Sequence, residues 1–255
     1  MIIPARYGSS RFPGKPLADL AGKPMVTWVA AQAVKSGASE VIVATDHPEI
    51  ARAVAARGYD VEMTRADHAS GTDRLAEVAA RRRYGPRRIV VNVQGDEPLI
   101  APALIRRVAE NLAGQAGVQI ATACCPIRDS REFRNPNVVK VALDENGCAL
   151  YFSRAPIPYA RDAFSRGIRA LPPRLPVYRH LGIYAYRCAF LREFRKLRPT
   201  LIERFEALEQ LRALAHGYRI SVAIASSAPH SGIDSPADLV HLRRLLDRRR
   251  ARKRP

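Results

Sequence analysis

Three cationic side chains follow the apolar start of the chain on one short, turn-rich stretch. Residues 4–16 read PARYGSSRFPGKP and carry Arg6, Arg11 and Lys15. Glycine lets the backbone approach a ligand closely, and clustered cations favour an anionic ligand. The stretch matches neither G-x-G-x-x-G nor G-x-x-x-x-G-K-[ST], so it indicates neither a dinucleotide fold nor a standard NTPase. It predicts a polyphosphate grip; the competing interpretation is a solvated basic turn.

Two carboxylates could supply the acidic half of such a site. Asp96 follows the apolar run 89–93 in the segment QGDEP, where a lone carboxylate beside glycine suits Mg²⁺, which takes oxygen ligands and bridges to substrate phosphates. Asp234 precedes a helix that opens with proline, so it could equally be that helix's N-cap. If both carboxylates reach one phosphate cluster, opposed charges around a triphosphate indicate nucleotidyl transfer.

The elements that must position these residues alternate between short β-branched runs and longer segments with helical spacing. This alternation predicts an α/β fold with a mostly parallel sheet, in which ligands gather beyond the carboxyl ends of the strands. The predicted strands after the first are 41–45, 59–63, 89–93, 119–123, 138–143, 181–186 and 220–223. The predicted helices are 24–36, 49–57, 72–83, 102–112, 204–216 and 236–247.

Composition limits the class of protein. A chain of 255 residues with 47% hydrophobic residues can bury a substantial core. It has no apolar run long enough to cross a bilayer and no signal-peptide pattern, so we expect a cytoplasmic protein without a membrane partner. The four cysteines lack metal-ligand spacing, which predicts buried apolar thiols rather than a zinc site or disulfides.

The net charge of +18 raises the alternative of a nucleic-acid-binding protein. Much of the charge lies in residues 243–255, where eight basic residues face one acidic residue, and in a further arginine cluster at 81–88. Terminal runs of like charge are usually solvated tails, and few aromatic residues accompany these. We therefore do not expect nucleic acid as the partner.

The motifs taken together resemble one family, the 3-deoxy-D-manno-octulosonate (KDO) cytidylyltransferases, also called CMP-KDO synthetases. The resemblance runs from near the first residue to about Leu246. The matching segments are IPARYGSSRFPGKPL (3–17), VATDH (43–47), MTRADHASGTDRLAE (63–77), VNVQGDEPLI (91–100), NPNVVKV (135–141), ALYFSRAPIP (149–158), RHLGIYAYR (179–187), LEQLRAL (208–214) and GIDSPADL (232–239).

The resemblance implies a Rossmann-like nucleotidyltransferase fold in a single domain, 1–246, with a small excursion at about 153–190 for dimerisation and sugar contacts. Residues 247–255 would form a basic disordered tail. The implied enzyme activates the eight-carbon acid sugar with CTP and Mg²⁺, releases diphosphate, serves lipopolysaccharide biosynthesis and forms a homodimer.

The resemblance also assigns site residues. The catalytic set would be Arg6, Arg11, Lys15, Asp96 and Asp234, with Asp96 and Asp234 as metal ligands. The nucleotide would contact Pro4, Ala5, Arg6, Lys15, Ser70, Gly71, Thr72 and Arg74. The acid sugar would contact Gln94, Arg154, His180, Tyr184, Glu209 and Gln210.

Each sugar-site assignment has a structural alternative. His180 could be a core histidine, Tyr184 a core-facing strand aromatic, and Glu209 an exposed helix residue paired with Arg212. A related acid sugar, such as sialic acid or an amino-substituted octulosonate (8-amino-KDO), also remains possible, because sugar specificity depends on few contacts.

Overall fold

The structure is a computed structural model that describes residues 1–8, 12–68, 70–227, 232–233 and 235–251, with side chains described as far as residue 246. The chain divides into two compact units. The first contains the described residues of Met1–Tyr84, Asn92–Arg106 and Pro229–Pro255, and the second contains Gly85–Val91 and Arg107–Ala228. The prediction of one domain spanning 1–246 stays a prediction.

The elements alternate along most of the chain. The described strands are β1 (Ile2–Ala5), β2 (Ile42–Thr45), β3 (Asp60–Met63), β4 (Ile89–Asn92), β5 (Ile120–Pro126), β6 (Lys140–Leu143), β7 (Ala149–Ser153), β8 (Tyr178–Arg187) and β9 (Ile220–Ile224). The described α-helices are α1 (Met25–Lys35), α2 (Pro48–Ala55), α3 (Gly71–Arg81), α4 (Pro102–Ala113), α5 (Ser130–Arg134), α6 (Cys188–Phe194), α7 (Leu201–Glu206), α8 (Gln210–Ala215) and α9 (Pro236–Ala251), with a 3₁₀ turn at Lys15–Leu17.

The first unit is built on parallel strands. β1 pairs in parallel with β2, with Ile2 opposite Ile42, and β2 pairs in parallel with β3. On its other side, Ile2 lies opposite Asn92 at the end of β4. The β-branched residues of β1 and β2 are buried, and α1 to α3 pack against these strands, so the loops that follow β1, β2 and β4 share the carboxyl-end edge of the sheet.

The second unit contains both parallel and antiparallel pairs. β5 pairs in parallel with β9 and antiparallel with β8. β6 joins β8 and β7 in antiparallel pairs. The register of β5 against β8 shifts between Thr122 and Ala123, which marks a bulge. The predicted α/β class is confirmed, and this unit adds the antiparallel part of a mixed sheet.

The segment between β7 and β8 shares a small apolar core with α5. Phe164 is buried against Phe133 of α5, with Ile127 and Val177 in the same cluster. Apolar burial therefore holds this part of the predicted excursion in place. Its role in dimerisation stays a prediction.

Two sequence-based expectations differ from the structure. The predicted helix 204–216 is wrong as a single element, because Ala207 adopts a left-handed conformation at φ 50° and separates α7 from α8. Strand β7 and helices α5 and α6 were not predicted. The last helix runs to Ala251, beyond its predicted end at 247.

The four cysteines are unpaired and buried, as predicted. Burial raises the pKa of the Cys124 thiol to about 12, with a smaller contribution from neighbouring Cys125, so this thiol stays protonated at neutral pH. No helix in the described part of the chain is long and apolar enough to span a membrane.

Candidate functional site

Lys15 and Asp96 meet in the first unit. The Lys15 ammonium donates to Asp96 Oδ2 at 2.6 Å and to the backbone carbonyl of Ile233 at 3.0 Å. The backbone amide of Ile233 in turn donates to the carbonyl of Asp96 at 2.9 Å. The loops after β1 and β4 and the segment 232–233 therefore converge on one charged cluster. Of the three other predicted catalytic residues, Arg11 and Asp234 lie outside the described residues, and Arg6 lies within them.

Glycines make this convergence possible. Gly14 takes φ 68° just before Lys15, a conformation that costs glycine little. A side-chain carbon at Gly95 would lie 2.9 Å from the carbonyl oxygen of Pro4, closer than packed atoms come. Glycine at this position thus allows the β4 loop to pass directly over the end of β1.

A pocket opens beside this cluster, within the first unit. Its lining contains five of the predicted nucleotide contacts, Pro4, Arg6, Ser70, Gly71 and Arg74, together with the predicted sugar contact Gln94 and with His68, which was not predicted. Arg6 is exposed, so its guanidinium is available to an anion. Ala5 is buried at the end of β1, and Thr72 is buried in the first turn of α3.

The start of α3 is shaped by its own cap. Ser70 Oγ accepts a hydrogen bond from the backbone amide of Asp73 at 3.2 Å, which satisfies one of the free N–H groups of the first turn. Gly71 faces Pro4, where an added side-chain carbon would lie 3.5 Å from the proline ring. Small residues therefore keep the helix start close to β1 and leave backbone groups at the pocket.

Arg74 is a structural tie as well as a pocket residue. Its side chain is 4% exposed, and its guanidinium donates to Asp46 Oδ2 at 2.7 Å and makes a short hydrogen bond to Thr64 Oγ1. Asp46 Oδ1 also accepts from the backbone amide of Tyr7, at 3.4 Å. Because Asp46 follows β2 and Thr64 follows β3, Arg74 fixes α3 against the carboxyl ends of both strands.

A histidine–carboxylate pair with largely buried side chains lies at the wall of the pocket. His68 Nε2 makes a short hydrogen bond to Glu77 Oε2, which also accepts from the backbone amide of Arg65 at 3.1 Å. Burial acts to raise the pKa of Glu77, but these hydrogen bonds and the charge of Arg81 outweigh it and lower that pKa. Glu77 is therefore an ionised anchor that orients the ring of His68.

The second unit brings three predicted sugar contacts together. Tyr184, Glu209 and Gln210 line one pocket with Tyr186 and Phe190 on an otherwise apolar wall. The amide nitrogen of Gln210 is buried and has no hydrogen-bond partner among the described residues. A buried donor without a partner is costly, so a polar ligand would stabilise it.

His180 lies next to this group, and its ring centroid is 5.4 Å from that of Tyr184. Its Nε2 is 3.0 Å from Thr122 Oγ1, at the bulge in β5. Burial lowers the pKa of His180 to about 3, so the ring is neutral and can act only as a hydrogen-bonding group. Burial likewise raises the pKa of Tyr184, so that its hydroxyl remains protonated.

Arg154 is bound to the protein's own backbone. Its Nε donates to the carbonyl of Glu206 at 2.6 Å, and a terminal nitrogen donates to the carbonyl of Pro136 at 3.0 Å. The carbonyl of Arg154 itself accepts from the buried ammonium of Lys140 at 2.5 Å. The guanidinium of Arg212 pairs with the carboxylate of Glu203.

The donors present fit a magnesium ion. Asp96 Oδ2 accepts a hydrogen bond from the Lys15 ammonium. Asp96 Oδ1 faces Gly232, and a side-chain carbon added at Gly232 would lie 3.8 Å from this oxygen. Glycine leaves that side of the carboxylate open, and a carboxylate oxygen is the ligand type that Mg²⁺ prefers. In the described ranges, no cluster of three or more acidic, histidine or cysteine side chains could hold a metal.

Sequence reasoning missed Asp46, His68 and Lys140 as site-building residues. Asp46 follows β2 just as Asp96 follows β4. A search of the loops that follow parallel strands, where ligands gather, could therefore have found Asp46 as well. His68 and Lys140 carry no such signal, because only the folded chain reveals their burial and partners.

Comparisons with known proteins show the family of this chain. A family model described as cytidylyltransferase matches residues 1–220. A solved structure described as CMP:2-keto-3-deoxy-manno-octonic acid synthetase complexed with CTP is 41% identical, covers 97% of this chain and 98% of that chain, and superposes with a TM-score of 0.88. A cytidylyltransferase from Leptospira borgpetersenii serovar Hardjo-bovis (strain JB197) is 16% identical, covers 98% of this chain and 94% of that chain, and has a TM-score of 0.59, so it shows the fold alone.

Proposed function

This chain belongs to the cytidylyltransferase family, and we propose that it transfers the CMP group of CTP to 3-deoxy-D-manno-octulosonate and releases diphosphate. The observation that carries the proposal is the convergence of Lys15, Asp96 and the segment 232–233 beside the pocket that Arg6 and Gly71 line. This arrangement presents cations and an oxygen ligand at the carboxyl ends of parallel strands, where a nucleotide triphosphate is expected.

The nucleotide would lie along the first unit. Arg6 and Lys15 would neutralise the phosphates, and Arg11 belongs to the same predicted grip. The capped start of α3, Ser70 and Gly71, would meet the cytidine through backbone groups. Arg74 supports that region through Asp46 and Thr64, so we assign it to shaping the nucleotide pocket.

We propose that Asp96, together with Asp234, holds Mg²⁺. When bound, the ion neutralises phosphate charge and lowers the pKa of a hydroxyl that it coordinates. Lys15 lies within hydrogen-bond distance of Asp96, so its ammonium both fixes that carboxylate and contributes positive charge at the triphosphate.

In the reaction, the anomeric hydroxyl oxygen of the sugar forms a bond to the α-phosphorus of CTP while the bond to the bridging oxygen breaks. The hydroxyl proton passes to water, and the electron pair of the broken bond leaves with diphosphate. The role of the chain is to position the reactants and to stabilise charge. Arg6 and Lys15 would stabilise the negative charge that accumulates on the departing diphosphate.

The acid sugar would use the pocket of the second unit. Glu209 and Gln210 offer an acceptor and a donor for ring hydroxyls, and Tyr184 and neutral His180 offer further hydrogen-bonding groups. Gln94 and Arg154, to which the family resemblance also points, stay predictions for direct sugar contact. We further propose that the enzyme acts as a cytoplasmic homodimer in lipopolysaccharide biosynthesis.

A coupled diphosphate-release assay tests the proposal directly. CTP, UTP, ATP and dTTP are each supplied with 3-deoxy-D-manno-octulosonate, its 8-amino analogue or a sialic acid, with and without Mg²⁺. We expect release that needs CTP, Mg²⁺ and the octulosonate together. Preference for another acid sugar would revise the substrate, and no CTP-dependent release with any acid would refute the function.

A further inference from the structure

We propose that Arg154, held by Lys140, is a positioning residue that fixes the turn from which Glu209 and Gln210 enter the acid-sugar pocket. The inference rests on the proposed function for the identity of the ligand. It assigns to Arg154 and Lys140 a task that requires no contact with substrate.

The turn between α7 and α8 determines where the pocket residues point. Helix α7 ends at Glu206, Ala207 takes φ 50° and ψ 50°, and α8 begins at Gln210. This left-handed conformation is unfavourable for a residue with a side-chain carbon, so surrounding contacts must hold it. Glu209 and Gln210 follow within three residues, and both line the pocket.

Arg154 supplies such contacts from the end of β7. Its Nε donates to the carbonyl of Glu206 at 2.6 Å, and another guanidinium nitrogen lies 3.5 Å from the carbonyl of Ala207. In return, the Glu206 carboxylate accepts from Ser153 Oγ at 2.6 Å and from the backbone amide of Arg154 at 2.9 Å. The last turn of α7 is thus joined to β7 in both directions.

Lys140 holds the backbone of Arg154. Its side chain is fully buried, and its ammonium donates to the carbonyls of Arg154, Val138 and Asn135 at 2.5, 2.6 and 3.0 Å. An ammonium has three N–H donors, so these carbonyls satisfy all of them. Burial lowers the pKa of Lys140, while the charge of Glu206 opposes that shift. Because its three hydrogen bonds use all of its N–H donors, the Lys140 ammonium has no donor left for a ligand.

The pocket needs this precision because its polar groups are buried. The amide nitrogen of Gln210 has no partner within the described ranges and sits among Tyr184, Tyr186 and Phe190. A displacement of about 1 Å at such a group can cost about 100-fold in catalytic efficiency. Loss of either Lys140 or Arg154 would release the same turn.

Steady-state kinetics of Arg154→Met, Lys140→Met and the double variant test the proposal. We expect each single variant to raise KM for the acid sugar by about 10-fold or more while KM for CTP changes little. Because Lys140 acts through Arg154, the double variant should match Arg154→Met within about twofold. Unchanged KM for the sugar in Arg154→Met, or multiplying effects in the double variant, would overturn the proposal.

Arg187→Met is the matched control. Arg187 also donates to three backbone carbonyls of the second unit, those of Leu112, Gln115 and Val118. Its removal therefore orphans the same kind of group but leaves the α7–α8 turn alone. A comparable rise in KM for the sugar in this variant would mean that general loosening, not positioning, explains the effect.

A carboxamide analogue of the sugar separates positioning from direct carboxylate binding. If Arg154 only positions the turn, Arg154→Met should weaken competitive inhibition by the analogue as much as it raises KM for the acid sugar. If the loss disappears with the analogue, Arg154 binds the carboxylate directly and the proposal fails.

Two measurements keep the test independent of folding and of the proposed function. If Lys140→Met does not fold, Glu206→Ala removes both reciprocal bonds and should raise KM for the sugar in the same way. If the wild-type chain does not use the sugar, amide hydrogen exchange at residues 207–210 still tests whether Arg154 holds the turn. This exchange should accelerate in Arg154→Met and not in Arg187→Met. Unchanged exchange in both would refute the positioning role.

Discussion

At the scale of single residues, Asp96 carries the sharpest prediction. Its side chain is 30% exposed and forms an ion pair with Lys15. One carboxylate oxygen faces Gly232, which has no side chain to block it. Asp96→Asn keeps the shape but removes the charge that would hold Mg²⁺ and balance Lys15. We expect diphosphate release to fall by at least about 100-fold.

The control for this variant is Asp129→Asn. Asp129 caps α5 by accepting from the backbone amide of Arg131, in the second unit, and Asn retains that acceptor, so this variant should keep both stability and turnover close to those of wild type. Substantial activity of Asp96→Asn with unchanged dependence on Mg²⁺ would contradict the proposed metal site.

Gly95 makes a second prediction at this scale. A methyl group here would meet the backbone carbonyl of Pro4 at 2.9 Å, and backbone cannot move aside as a flexible side chain can. We expect Gly95→Ala to destabilise the protein by about 1 to 3 kcal/mol, measured by urea unfolding, and to weaken CTP binding. Gly85→Ala, where nothing lies within 4 Å, should leave both quantities unchanged; equal losses in the two variants would contradict the packing argument.

At the scale of elements, Glu203 joins α7 to α8. Its carboxylate accepts from Arg212 Nε at 2.9 Å and from the backbone amide of Thr200 at 3.2 Å, completing a capping box. Burial acts to raise the pKa of Glu203, but these bonds and the charges of Arg212 and Arg204 outweigh it, so the pKa falls below its ordinary value of 4.5.

The sign of this shift fixes a pH dependence. A carboxyl with a lowered pKa in the folded state contributes stability that is complete above the ordinary value of 4.5 and is lost as pH falls through the lowered pKa. We expect Glu203→Gln to lower the free energy of unfolding by about 1 to 3 kcal/mol at pH 7. The gap to wild type should narrow below pH 4.5, as measured by urea titrations across that range.

Glu193→Gln is the control, because the pair of Glu193 with Lys196 is 51% and 70% exposed and such surface pairs contribute little. A pH-independent gap for Glu203→Gln would refute the ionic explanation.

The α7–α8 region also shows where sequence reasoning reaches its limit. The segment 204–216 has good helix formers throughout, so local propensity predicted one helix. The break at Ala207 depends on tertiary bonds from Arg154 to the carbonyls of Glu206 and Ala207, and no local pattern records those bonds. In contrast, β1, β2 and β4 are short β-branched runs between helical segments, so their positions could be predicted.

The same contrast holds for the site. The meeting of Lys15 with Asp96 follows from the rule that loops after parallel strands share an edge, and the structure places the two side chains in contact. The structural role of Arg74 could not be predicted, since a pocket arginine and a buried tie look alike in sequence. Placement of Arg11 and Asp234 stays a prediction.

At the scale of the whole molecule, the charge of +18 is less available than the sequence suggests. In the arginine cluster at 81–88, Arg82 contacts the carboxylates of Glu40, Asp60 and Glu62, and Arg81 pairs with Glu77. Internal ion pairs therefore neutralise part of the surface that favoured the nucleic-acid alternative. The remaining test of that alternative concerns the basic segment from 243 onward.

The packing of α9 decides how that segment can be tested. Leu242 and Leu246 are buried in a cluster with Leu20 and Met25, so deletion from residue 243 would remove part of the core. Truncation after Ala251 removes three basic residues and no described core residue. We expect this truncated chain to keep CTP-dependent diphosphate release and the Tm of wild type, whereas Leu246→Ala should cost about 2 to 5 kcal/mol. If the truncated chain instead loses activity, and single-stranded RNA binding falls with a shallower dependence on salt, the basic end has a functional contact with nucleic acid and the charge is not merely solvated.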